Sequence, residues 1–88
     1  MPLDIAQPPA IYRHYEGRTL VTTLPLVMVD GECKRRDPGL DPSLILKACA
    51  SPRGRFCFVV MPRLRDIGKA NYARLKAHEL AHCAGWRG

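Results

Sequence analysis

The sequence predicts one small α+β domain over residues 1–88, with a partly antiparallel sheet of about three strands packed on a C-terminal helix. Three observations carry this. Arg55 to Met61 (RFCFVVM) is β-branched and aromatic and stops at Pro62. Lys69 to Ala84 is free of proline and rich in helix formers, and Gly85 ends it. A chain of 88 residues buries only about 60% of its unfolded surface, so it supports a single marginal core that a staple or metal would help.

The elements follow in order. Residues 1–10 hold Pro2, Pro8 and Pro9 and read as an extended lead-in, followed by a short segment from Ile11 to Tyr15. Thr19–Thr23 and Leu26–Val29 are β-rich and flank Pro25, which donates nothing to a ladder; an edge, a bulge or two short strands is expected. Asp30-Gly31 and Asp37-Pro38-Gly39 read as turns. Asp41-Pro42 reads as an N-cap and first helical residue, with Leu44, Ile45, Ala48 and Cys49 at helical spacing, so a short helix is expected over Pro42–Ala50. In the last helix Ala73, Ala77, Leu80, Ala81 and Ala84 form a stripe of mostly small residues suited to close approach to a sheet. Gly85 is its expected left-handed cap, with Trp86 folding back on Leu80 and Ala81.

No apolar run reaches the roughly 18 residues of a membrane-spanning helix. Leu20 to Val29, behind Arg13 and Arg18, loosely imitates a signal peptide. It starts late, contains Pro25 and runs into Asp30-Gly31-Glu32 instead of a cleavage site. A strand is expected there. The default compartment is then the cytoplasm, or the periplasm or exterior if the N-terminus is incomplete.

The formal charge is +6, and ten of the fourteen basic residues are Arg. They cluster at Lys34, Arg35 and Arg36 and, more loosely, at Arg53, Arg55, Arg63 and Arg65. Such a balance admits anionic partners, nucleic acid among them, but no nucleic-acid motif surrounds these residues. The four cysteines (33, 49, 57 and 83) include no CxxC pair, which argues against a ribbon or finger zinc site. Their pairing is open; one option is a local Cys49–Cys57 bridge across Ser51–Gly54.

Chemistry concentrates in His78-Glu79-Leu80-Ala81-His82, an HExxH pentad. Residues four apart on a helix lie about 40° apart around the axis and about 6 Å along it, so both imidazoles reach one ion. Glu79 projects about 100° further round, placed to reach a water instead of the metal. Two histidine ligands for Zn2+ and a glutamate general base are the division of labour of zinc metalloproteases.

HELAHCAGW resembles the zincin signature, extended as HExxHxxGW. It is similar to small, mostly uncharacterised bacterial and phage-borne zincin-like proteins that carry HExxHCNGW followed by Asp-His; here Ala84 replaces the Asn. The resemblance covers residues 78–86. It implies a zincin-like minimal domain acting as a zinc-dependent peptidase on a peptide or protein substrate, with His78 and His82 as metal ligands and Glu79 as catalytic base. It also implies that Arg55–Met61 aligns substrate as an added strand.

A third ligand is missing from the expected places. Gly88 stands where a metzincin has His, and no downstream helix offers a Glu. Four explanations stand open: a chain cut before an Asp-His, an internal residue (His14, or Asp66 or Cys83) that completes the site, a ligand from a second subunit, or a degenerate site. The rival readings are a catalytically degenerate binding module with a basic surface for nucleic acid, an anionic surface or a protein partner, and a structural zinc closed by a cysteine. Tyr72 is expected in the core. Arg87, Tyr12 and Tyr15 are weaker candidates for steadying an oxyanion.

Overall fold

The computed structural model describes residues 5–87. A single 3-10 turn (Ala10–Tyr12) precedes β1 (Arg18–Leu24), α1 (Leu26–Arg36), β2 (Cys49–Arg53), β3 (Phe56–Pro62), the one-turn α2 (Leu64–Ile67) and α3 (Lys69–Cys83). The strands form one mixed sheet in the order β1-β3-β2. β1 runs parallel to β3 and β2 antiparallel to it. This is the expected α+β class, with the expected C-terminal helix.

β3 is central and the most buried strand. Cys57, Val59 and Met61 face α3 and pack with Leu75, Cys83 and Ala48. Val60, pointing the other way, packs with Val29 and Cys33 of α1. A two-residue turn joins β2 to β3, and Gly54 takes φ +62° at its first position, where only glycine is unstrained. Pro52 sits in edge strand β2, where its missing N–H is tolerated.

Three sequence expectations are corrected. Leu26–Val29 is not a strand. The chain leaves the sheet at Pro25 and becomes α1, so Asp30-Gly31 lies inside a helix. Pro25 is the N-cap, outside the helical hydrogen bonding, so its missing N–H costs α1 nothing, and α1 is held by Asp30–Lys34 and Glu32–Arg36 pairs four residues apart. The first turn is capped from a distance, because Leu26 N–H donates to Asp66 Oδ2 at 3.1 Å.

The helix expected over Pro42–Ala50 does not form. Asp41 Oδ1 accepts from Ser43 N–H (2.9 Å) and Oγ–H (2.8 Å), which locks a turn. Asp30 Oδ1 then accepts Leu46 N–H at 2.8 Å and holds the chain extended into β2. A segment this short cannot offset helix nucleation against those competitors.

The stripe on α3 holds towards its C-terminal end, where Ala81 is buried and Leu80 packs on the core, and is displaced before that. Ala73 and Ala77 are exposed, while Leu75, Glu79, Ala81 and Cys83 are buried. Leu75 carries more apolar area than an alanine, and a disulfide fixes which face turns inward.

The disulfides are Cys33–Cys49 and Cys57–Cys83, closing loops of 16 and 26 residues. A Cys49–Cys57 bridge is excluded by register. Cys49 pairs with Val60 and shares its α1-side face, whereas Cys57 pairs with Pro52 and faces α3. One disulfide ties α1 to β2 and the other ties α3 to β3, so each sheet face has a stapled helix. Loops of this length stabilise by about 3 kcal/mol each, a large share for so small a core. Among the described residues no helix is long and apolar enough to cross a membrane.

Candidate metal centre

The site is built where α3 ends. Gly85 takes φ +107°, its N–H donates to His82 O (3.1 Å), and Trp86 N–H donates to Ala81 O (3.0 Å). This is a Schellman closure, and it turns the chain back over the last helical turn. Trp86 does not pack as expected on Leu80 and Ala81. Its indole stacks on the His82 ring at 5.1 Å and meets the His78 ring edge-on at 4.9 Å.

The two imidazoles converge. His78 Nε2 and His82 Nε2 lie 3.0 Å apart. The other nitrogen of each ring is engaged by backbone: His82 Nδ1 lies 2.7 Å from Trp86 O and His78 Nδ1 lies 2.8 Å from Ala6 O. A carbonyl oxygen only accepts, so both Nδ1 atoms carry a proton, and on a neutral ring Nε2 then presents a lone pair. Two neutral rings so arranged aim lone pair at lone pair and need a shared proton or cation between them. Metal-ligating histidines are oriented in this way by their second nitrogen. Two nitrogens on one tetrahedral zinc lie roughly 3.3 Å apart, close to the spacing here. The donor set therefore fits a metal ion.

Glu79 completes a group whose ligand atoms all lie within 4.8 Å of one another. It is 5% exposed, and burial pushes its carboxyl up to about 7. The group opens into a cleft of about 420 Å3 whose walls include Leu40, Leu46, Ala48, Ala50, Trp86 and Arg87. The walls are mostly apolar, with Arg87 exposed at the rim.

The sheet beside the cleft differs from expectation. Phe56–Met61 of that segment lies in β3, whose two edges are already taken by β1 and β2, so it has no edge for an added strand, and Arg55 belongs to the turn before it. The free edge near the histidines belongs to β2, from which Cys49 and Ala50 line the cleft.

None of the internal candidates for a further ligand joins the group. Cys83 is bonded to Cys57, and the other two cysteines are bonded to each other, which removes a cysteine-closed zinc site. Asp66 pairs with Arg63 and caps α1. His14 is exposed and stands outside the group. Gly88 lies outside the described residues. Tyr72 packs against the core as expected, and so does Tyr15. The orienting carbonyls of Ala6 and Trp86 escaped the sequence reading, because a backbone acceptor has no residue signature.

No protein-family model matches the chain, and neither a curated protein nor a solved structure matches it. Fold and site together define a small α+β domain with a His-Glu-His group able to hold a metal ion.

Proposed function

We propose that the chain is a zincin-like, zinc-dependent hydrolase acting on peptide bonds. The observation that carries this is the pair of converging Nε2 lone pairs with both Nδ1 protons anchored to backbone. His78 and His82 hold the ion. When bound, zinc supplies Lewis acidity, which lets water attack a carbonyl near neutral pH. Glu79 takes the proton of the attacking water on its carboxylate and returns it to the departing amine. The β2 edge beside the cleft offers N–H and C=O groups to an extended peptide, and the apolar walls exclude water around it.

The test joins metal content to a substitution. Protein purified without chelating resin should carry about one equivalent of zinc, and zinc should raise the melting temperature of the chelated protein. His82→Ala should abolish both, whereas Glu79→Gln should keep the metal and lose peptide hydrolysis. Zinc below about a tenth of an equivalent, with no thermal response, would refute the reading.

A second reading rests on the described residues offering only two imidazoles and one carboxylate. It is a binding module in which the helix is a scaffold. It predicts that biological activity survives Glu79→Gln.

A further inference from the structure

The sheet face turned away from α3 is half uncovered. α1 lies over Val60 through Val29 and Cys33, at one end of the strands. At the other end Leu20, Phe56 and Phe58 share that face. Leu20 is 49% and Phe56 40% exposed. An open sheet face ordinarily carries polar side chains, and adjacent exposed apolar residues mark an interaction site more often than scattered ones do.

Charge surrounds these rings in register. Arg18 on β1 and Arg53 on β2 both pair with Phe56, so one row across the sheet reads Arg-Phe-Arg. The next row is Leu20-Phe58-Ser51. Strands lie about 4.8 Å apart, so each guanidinium starts from the backbone position next to the ring. Arg36 of α1 closes the far side, donating to Thr22 Oγ1 at 3.3 Å. Leu20, Phe58, Arg36 and Arg53 line a groove of about 490 Å3. Lys34, Arg35, Arg36 and Arg63 are each paired with a carboxylate, but Arg18, Arg53 and Arg55 have no acidic partner among the described residues. Glu16 is the negative residue lining the neighbouring end, beside Arg18 and Phe56.

We propose that this face binds single-stranded nucleic acid. Bases stack on Phe56 and Phe58, and Arg18 and Arg53 take the phosphates on either side. Exposed aromatics on a sheet, interleaved with cations, are the general solution to holding unpaired bases without reading their sequence. A duplex hides its base faces, which leaves the rings nothing to stack on. An acidic peptide would satisfy the cations and leave the row of rings without a function. The surface lies on the opposite side of the sheet from the His78-Glu79-His82 group, so its ligand need not be a substrate.

The probe is a fluorescein-labelled oligouridylate of about 12 nucleotides, read by anisotropy against the full chain at low salt. Binding should weaken steeply as salt rises. Phe56→Leu keeps apolar bulk and removes the π face; it should lower affinity on the order of tenfold, as should Phe56→Ala. Arg53→Gln should weaken binding and flatten the salt dependence, while Arg65→Gln, outside this face, should change affinity much less. A chelator should have no effect. Absence of binding at low salt overturns the proposal. So does equal affinity for a duplex of the same length with Phe56→Leu indifferent, since that is attraction to net charge alone. Equal affinity for an oligoglutamate overturns it as well.

Discussion

The carbonyl of Trp86, two residues beyond the C-cap Ala84 of α3, is also the acceptor that orients His82, at 2.7 Å from Nδ1. Helix closure and ligand orientation are therefore one structure. Gly85 makes it possible through its φ of +107°. Gly85→Ala places a Cβ in a conformation that L residues avoid. We expect a loss of about 1 kcal/mol in stability and a zinc affinity lowered by roughly tenfold or more, because the second nitrogen loses its partner. Urea unfolding and zinc titration on the same sample check both.

Glu79 gives the metal-free chain an inverted pH response. Its carboxyl titrates near 7 when folded, against an ordinary 4.5. Between those values the folded chain keeps a proton that the unfolded chain has released. Stability should therefore fall as pH rises through that window, by up to roughly 3 kcal/mol. Denaturant midpoints of chelated protein at about pH 5 and about pH 8 measure the fall, and Glu79→Gln should remove this component. An equal slope in both proteins would show that Glu79 is not its source.

The two disulfides should separate stability from metal binding. Replacing Cys33 and Cys49 by Ser should remove about 3 kcal/mol of stability and leave zinc affinity intact while the chain is folded. Replacing Cys57 and Cys83 should lower both, because Cys83 follows His82 directly and pins that turn to β3. Calorimetric zinc titration of the two double variants distinguishes them.

Gly31 is exposed within α1, and no atom lies within 4 Å of an added Cβ. Gly31→Ala should raise stability by about 0.5–1 kcal/mol through helix propensity and a less flexible unfolded chain. Were Asp30-Gly31 a turn, the same change would be neutral or harmful, so a melting curve tests the helix directly.

The parts of the fold legible in the sequence were those with a strong local signal. β3 was visible because RFCFVVM is unbroken and bounded by proline, and α3 because it lacks breakers and ends in glycine. The convergence of His78 and His82 followed from helical geometry alone. α1 was hidden because Leu26–Val29 reads equally well as strand or buried helix until side-chain pairs such as Asp30–Lys34 decide it. β2 was hidden because its extended shape comes from tertiary links, the Asp30–Leu46 hydrogen bond and the Cys33–Cys49 disulfide, which no local pattern encodes. That β3 has no free edge is not legible in RFCFVVM, because strand order is a property of the whole sheet.

His78 leans on Ala6, a residue 72 positions upstream in a stretch without regular secondary structure. Proteolytic clipping just ahead of the first 3-10 turn would spare the sheet, both helices that flank it and both cystines. It would nonetheless free that imidazole to exchange tautomers and turn away from its neighbour. An affinity tag or fusion joint placed near this stretch therefore belongs well clear of Ala6, or a well-folded preparation will have lost the anchor of that ring.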